Sequence, residues 1–367
     1  MKKNFFSSST GIIVVGAIIG LTAVFLQKMG NPGNMGVCVA CFLRDVTGAL
    51  GLHKAALVQY IRPEIPGFVL GSFLSALLFS EFKPRGGSSP LVRFMLGVFA
   101  MIGALVFLGC PWRALLRISA GDLNAVIGFL GLFTGVFAGT LFLRSGYTLG
   151  RSEKTSFPTG LIMPGLMVLL LAALFMNPQI ADKESSGFIF YSLKGPGSMH
   201  APLYFSIAAG LLIGFLAQRS RFCTVGAIRD LILFKQFHLF SGILSLVAAA
   251  FIFNLVIGKF NPGMSGQPIA HVDSLWNFLG MVLSGFAFCL AGGCPGRQLF
   301  LSGEGDGDAA VFSFGLITGA AFSHNFMLAS SPDGLGKNGS TAVIAGLVFC
   351  LIIGLFMREK STGGKNA

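Results

Sequence analysis

The sequence predicts an all-α polytopic membrane protein built from an internal repeat. Three observations carry that prediction: the composition, a series of apolar windows, and two cysteine motifs that each occur twice. Of 367 residues, 53% are hydrophobic and 11% charged, against ~25% charged in an average soluble domain. The mean hydropathy is +0.78, which excludes a soluble globular enzyme and a disordered chain alike. Glycine, at 51 residues, is about twice its usual ~7% share, and membrane helices tolerate it better than soluble ones.

A helix needs ~20 mostly apolar residues to cross the hydrocarbon core, within a range of ~17–25. Ten windows are candidates: 11–27, 61–82, 91–109, 122–143, 161–177, 203–217, 239–257, 275–292, 308–325 and 341–357. The first follows Met1-Lys2-Lys3 but no small-residue cleavage site follows it, so it reads as a retained span rather than a removed signal. Ten spans put both termini on one side. With that side cytoplasmic, sixteen of the 26 Lys and Arg residues lie inside, among them Lys2, Lys3, Lys360 and Lys365. Of the ten left outside, Arg44, Arg62, Arg113 and Arg117 belong to or adjoin the motifs below. This is the expected bias toward cytoplasmic Lys and Arg. The formal charge of +12 therefore reflects topology; with no basic runs carrying interleaved aromatics, it does not predict a nucleic-acid partner.

The repeat surfaces at the cysteines. Residues 38–45 read CVACFLRD and residues 223–230 read CTVGAIRD; residues 110–122 read CPWRALLRISAGD and residues 294–306 read CPGRQLFLSGEGD. Six of the thirteen positions in the second pair are identical, and the motifs are 72 residues apart in one half and 71 in the other. Five predicted spans separate each motif from its copy. An odd number places the halves in opposite orientations, the inverted-topology repeat found in many transporters. The expected division is a first repeat over 1–177, an extracytoplasmic connector over 178–200 and a second repeat over 201–367. Each motif is too short and polar to span, so short re-entrant helices are expected, entering from opposite sides and meeting at a waist in an hourglass-like arrangement.

In Cys110-Pro111-Trp112-Arg113 and Cys294-Pro295-Gly296-Arg297, proline suits the first helical position. The cysteine then caps the helix at the positive end of its dipole, where thiolate character rises and an anion can be held. Arginine close by adds a permanent charge. Soft sulfur beside an anion cradle suits a sulfur- or selenium-containing anion. A cysteine can equally be a small buried hydrophobe, and that reading is the better one for Cys350 and for Cys289, whose repeat counterpart is Leu105. The candidate translocation residues are Cys38, Cys110, Cys223, Cys294, Arg113 and Arg297. Cys41, Arg44 and Arg229 are secondary: Gly226 replaces Cys41 in the second half, and Asp45 and Asp230 follow the two arginines as ready partners. An arginine at a helix centre costs ~2.5–3.5 kcal/mol on the insertion scale, so deep placement of such residues demands a function or a partner. Gly33-Asn34-Met35-Gly36 is a further candidate, as a backbone nest for an anion. No metal, cofactor or catalytic site is expected: the five histidines lack paired helical spacing, the lone C-x-x-C lacks a second pair, and no Walker loop occurs.

The motifs GNMGVCVACFLRD (33–45), FLGCPWR (107–113), RSRFCTVGAIRD (219–230) and AGGCPGR (291–297) together resemble the YeeE/YedE family of bacterial inner-membrane proteins, over nearly the whole chain. The resemblance implies a non-enzymatic permease that takes up a sulfur compound through an hourglass-shaped fold with cysteines at its constriction. The CVACFLRD form and Arg62-Pro63-Glu64 look more like the YedE branch, linked to selenium; the alternatives are a YeeE-type thiosulfate transporter and a membrane-embedded transferase that relays the atom through persulfide-like cysteine adducts. It also implies an inner-membrane location with both termini cytoplasmic, and a small cytosolic sulfur carrier of the TusA-like type as partner.

Overall fold

The computed structural model describes residues 5–180 and 182–358, so Lys2, Lys3, Lys360 and Lys365 of the orientation argument lie outside the described residues. The chain is a multi-pass helical membrane protein, and its described helices fall into two series of seven. The first is α1 (Ser9–Lys28), α2 (Val39–Ala49), α3 (Glu64–Leu78), α4 (Pro90–Phe107), α5 (Pro111–Ser119), α6 (Leu123–Arg144) and α7 (Phe157–Met176). The second is α8 (Leu203–Ser220), α9 (Thr224–Phe234), α10 (His238–Val256), α11 (Ser274–Ala291), α12 (Pro295–Gly303), α13 (Gly307–Asn325) and α14 (Gly339–Phe356). The Cys38 and Cys110 motifs open α2 and α5, and the Cys223 and Cys294 motifs open α9 and α12.

Eight helical runs among the described residues are long and apolar enough to cross a membrane, not ten. The windows at 61–82 and 308–325 fall short for physical reasons. Helix α3 has only 15 residues, about 22 Å at ~1.5 Å per residue, because Arg62 and Glu64 at one end and Glu81 at the other are engaged inside or at the edge of the protein. Helix α13 carries Asp308, Ser313, Ser323 and His324 along its 19 residues, which lowers its hydropathy. Both lie against partner helices, α3 on α8 and α13 on α4.

The thirteen-residue motif spells out a complete short helix. Cysteine holds its N-cap position without a side-chain capping bond, proline takes its first turn, and Gly121 or Gly305 follows its end with φ of 95° or 91°, the left-handed conformation favoured after a helix C-terminus. The closing aspartate then caps the next helix: Asp122 accepts from Asn124 N–H and Asp306 from Ala309 N–H.

Long helices pair across the two series: α1 with α10, α3 with α8, α4 with α13 and α6 with α11, while α4 and α11 meet each other. Small residues let these backbones touch. At the α1–α10 seam, a β-carbon on Gly16 would lie 2.0 Å from the Gly242 carbonyl oxygen. The loops segregate to two faces. Residues 50–63, 178–200, 257–273 and 326–338 form what we term the connector face, tied together by Arg62 to the Pro196 carbonyl, Asn325 to the Leu52 carbonyl and Gln59 N–H to Ser192 Oγ. The opposite, terminal face joins Lys83 N–H to the Glu304 carbonyl, Arg85 to Lys154 and Tyr147 to Arg358. The segment 182–200 carries an antiparallel pair at Ser185–Ser186 and Ile189–Phe190.

Replacing Gly16 by leucine is expected to lower the thermal unfolding midpoint in detergent, because overpacking typically costs about 1–3 kcal/mol. Gly165→Leu, at a position with nothing within 4 Å of the added β-carbon, should leave the midpoint near wild type. Equal midpoints for the two variants would refute the close seam.

Candidate functional site

Helices α2 and α5 begin inside the protein and run toward the connector face, where Leu50 follows α2 and Ala120 bonds Asn261 after α5. Helices α9 and α12 run the other way, ending at Lys235 and at Glu304 on the terminal face. Their four N-termini come together in the interior, so their positive dipole ends and free N–H groups converge.

The cysteines sit at these ends in two pairs. Cys38 and Cys110 are 3.7 Å apart, sulfur to sulfur, and Cys38 Sγ accepts from Cys41 N–H at 3.3 Å. In the second pair Cys223 Sγ accepts from Gly226 N–H at 3.2 Å and from Cys294 N–H at 3.5 Å. All four are buried, as are Cys41, Cys289 and Cys350, and none is in a disulfide. Cys289 is on α11 and Cys350 on α14, outside both pairs.

Arg113 and Arg297 differ in a way their matching motifs conceal. Both fold back over the glycine preceding the cysteine; a β-carbon on Gly109 would lie 2.8 Å from Arg113 Cδ, and one on Gly293 3.1 Å from Arg297 Cγ. Arg113 is fully buried and donates to the Leu108, Pro268 and Ile269 carbonyls, with Nη1 also 3.8 Å from Cys41 Sγ. Carbonyls orient the guanidinium without cancelling its charge, and among the described residues Arg113 makes no ion pair. Arg297 instead pairs with Glu304 at 3.3 Å, which also binds Arg221; Arg221 and Arg219 in turn bind Glu81. Burial pushes the Glu81 carboxyl up, yet Gln218, Arg221 and Arg219 together hold it below its ordinary range.

Between the cysteine pairs lies Trp112. Its indole packs edge-on against Phe68 and Phe222, with ring centroids 6.1 and 5.9 Å away, and is tilted at 6.0 Å from Phe300. The repeat counterpart is Gly296, and a β-carbon there would already sit 3.5 Å from the indole. The missing side chain in one half thus makes room for the large one in the other. The Trp112 indole N–H and the Thr224 hydroxyl are buried without a hydrogen-bond partner, leaving polar capacity at the centre of an aromatic plug.

The secondary candidates behave differently. Arg44 is buried and its Nε and Nη2 bind Asp45 Oδ1; the other Asp45 oxygen takes Arg62 Nε at 2.8 Å. Arg62 also donates to the Pro196 and Met199 carbonyls. Arg229 pairs with Asp230 near the terminal face. Asn34 adopts φ of 58° within the candidate nest, but its N–H is taken by Gln27 Oε1 and the Met35 N–H by the Pro32 carbonyl, which removes two of the donors an anion would need there. No group of three or more metal-type ligands occurs among the described residues.

Sequence reasoning missed Trp112 and Arg62 as site residues. The Trp112/Gly296 mismatch at aligned repeat positions was a visible signal for the first; nothing in the sequence pointed to Arg62 crossing from the α3 entry to the connector.

Two measurements bear on this geometry. Mild catalytic oxidation should join Cys38 to Cys110 and leave Cys350 reduced; peptide mapping that finds no 38–110 linkage would contradict the pairing. Asp45→Ala strands two buried guanidinium groups and is expected to cost about 3–5 kcal/mol of stability, read as a much lower unfolding midpoint than that of Asp230→Ala.

Residues 219–357 match the family described as Sulphur transport. The thiosulfate transporter TsuA of Escherichia coli (strain K12) is 29% identical over 111 residues, 29% of this chain and 30% of that protein. TsuA of Spirochaeta thermophila is 34% identical over 108 residues, 27% of this chain and 31% of that protein. The alignments thus span under a third of either relative. Residues 219–357, which contain α9, α12 and the cysteines at their N-termini, are thus the part of the chain that is similar to the sulphur-transport family.

Proposed function

We propose that this protein is a permease for a small sulfur-containing oxyanion of the thiosulfate class. One observation supports the reading above the others: Arg113, a buried guanidinium without a carboxylate partner, stands beside converging helix N-termini capped by cysteines. A buried charge is costly unless balanced, and an anion in transit balances it. The oxyanion would enter from the connector face and meet Cys41 and Arg113. It would then exchange weak S–H contacts along Cys38 and Cys110, pass the Trp112 plug when that opens, and leave by Cys223 and Cys294. The relatives' printed substrate agrees with this class.

The two helix series read as inverted repeats, 1–177 and 201–367, with 178–200 as an extracytoplasmic connector. This agrees with the opposed directions of α2 and α5 against α9 and α12, and with pairings that exchange consistently when the series are swapped, such as α1–α10 for α8–α3. The basic residues favour a cytoplasmic terminal face in the bacterial inner membrane. A TusA-like carrier receiving the anion there follows from family resemblance alone.

A selenium-containing anion is the second reading. Its support is the third thiol, Cys41, which faces Arg113 where the second half has Gly226. Extra soft sulfur suits a softer cargo.

The test is uptake by purified protein in liposomes of labelled thiosulfate, selenite and selenide. Thiosulfate should accumulate chemically unchanged, and failure of all three to exceed empty vesicles would end the permease reading. Selenite or selenide entering in preference to thiosulfate would favour the second reading, and an adduct mass on any cysteine would favour a transferase. Arg113→Met should raise the concentration for half-maximal uptake by about tenfold or more, since hydrogen bonds to charged groups are worth roughly 1.5–3 kcal/mol. Arg297→Met should do less, because Glu304 keeps Arg221.

A further inference from the structure

A cavity of about 740 Å³ opens on the connector face, above the Arg113 layer. Its lining includes Leu108 and Ile269, whose carbonyls hold Arg113 from below. No cysteine and no acidic residue lines it. Six polar side chains do, and three of them, Arg44, His324 and Ser330, have unused hydrogen-bonding capacity among the described residues. Ser330 is 6% exposed, yet its Oγ has no partner. His324 Nε2 is buried and likewise unpartnered. Arg44 spends Nε and Nη2 on Asp45, and its Nη1 makes no hydrogen bond among the described residues.

These groups are held in place. The Ser330 N–H bonds the Leu105 carbonyl at 3.1 Å. The His324 ring lies against His53, tilted by 36° with centroids 4.5 Å apart. His53 is itself fixed, with Nε2 3.0 Å from the Arg44 carbonyl and Nδ1 accepting from Ala55 N–H. The local charge is positive: Asp45 carries one negative charge between Arg44 and Arg62, leaving a net of +1, while Lys337 at the rim is offset by Asp333, which accepts from the Ser331 hydroxyl. Unpartnered buried polar atoms are uncommon and call for an explanation. Here two belong to residues that line one cavity whose lining carries no acidic side chain.

We propose that this cavity is a second anion site, a receiving site built from Arg44, His324 and Ser330, that takes a tetrahedral oxyanion before it reaches the cysteines. Its donors are hard nitrogen and oxygen groups, so it recognises charge and oxygen atoms and does not distinguish sulfate from thiosulfate. Selection between them falls to the thiols below. The site rests on the permease reading only for its place on a route; binding itself does not require transport.

The experiment is equilibrium binding of radiolabelled sulfate to the purified full-length protein in detergent, with unlabelled thiosulfate as competitor. Wild type should bind sulfate, and thiosulfate should displace it. The Cys38→Ser/Cys110→Ser variant should bind as wild type does. Ser330→Ala and His324→Phe should each weaken binding by about tenfold, and His324→Asn, which keeps a donor, should recover most of the loss. Unfolding midpoints within the wild-type range show that the variants remain folded. The proposal is overturned if wild type binds no sulfate, or if binding vanishes with the cysteines and ignores Ser330 and His324. Sulfate binding as expected in a protein whose liposomes accumulate nothing would remove the permease reading and leave the site standing. Uptake with no sulfate binding, and with half-saturation unchanged in His324→Phe, would do the reverse.

Discussion

Four short helices begin inside a membrane protein, and every one must satisfy backbone N–H groups where no bulk water is at hand. In lipid, irregular backbone is tolerated only where protein buries it or a wet path runs beside it. Sulfur is an unusual choice for the caps, since Ser, Thr, Asp and Asn are the common ones, and oxygen caps are indeed used by Asp122 and Asp306 on the helices that follow. At Cys38 and Cys223 the cap is a weak acceptor at 3.2–3.3 Å. A weak acceptor leaves the N–H groups available to a better one, and an anion is a better one. The cysteines thus close the helix ends without sealing them.

The halves share this device but not its surroundings. On the connector side the arginine charge is left standing and a third thiol lies against it. On the terminal side Glu304 and Glu81 gather Arg297, Arg221 and Arg219 into a network that keeps a net of +1 but gives every arginine a carboxylate partner. Trp112 occupies the space that Gly296 leaves open. An anion passing from one side to the other would move from an arginine without a carboxylate partner, through an aromatic constriction, to arginines that already have one. That gradient comes from unequal neighbours around equal motifs.

Holding the arrangement requires paired charges around the short helices. Asp45 joins Arg44 to Arg62, and Arg62 reaches the Pro196 and Met199 carbonyls. One buried carboxylate therefore fastens α2 to the entry of α3 and to the connector. Arg117 and Asp122 form a corresponding buried pair at 2.6 Å behind α5. Such pairs are weak evidence of stability in themselves, but removing one partner is severe, which keeps the short helices in register.

The local content of the site was legible because it is written at fixed spacing. The Cys-Pro start, the Arg two residues later and the Gly-Asp close lie within thirteen residues, and their duplication marked them out from apolar background. The helical class was legible for the same reason, since hydropathy is a property of short windows. The length of α3 and the polarity of α13 blurred two of the ten windows, because those helices are sheltered by α8 and α4 rather than selected for lipid alone. What the chain could not disclose is which charges are cancelled. Arg113 and Arg297 occupy the same place in the same motif; only the fold brings Glu304 to one and bare carbonyls from residues 268 and 269 to the other. Likewise, Ser330, His324 and Arg44 are far apart in sequence and share a cavity only once α2, α13 and the 326–338 loop are packed. Motif spacing is local and survives in one dimension, whereas charge compensation depends on distance in three.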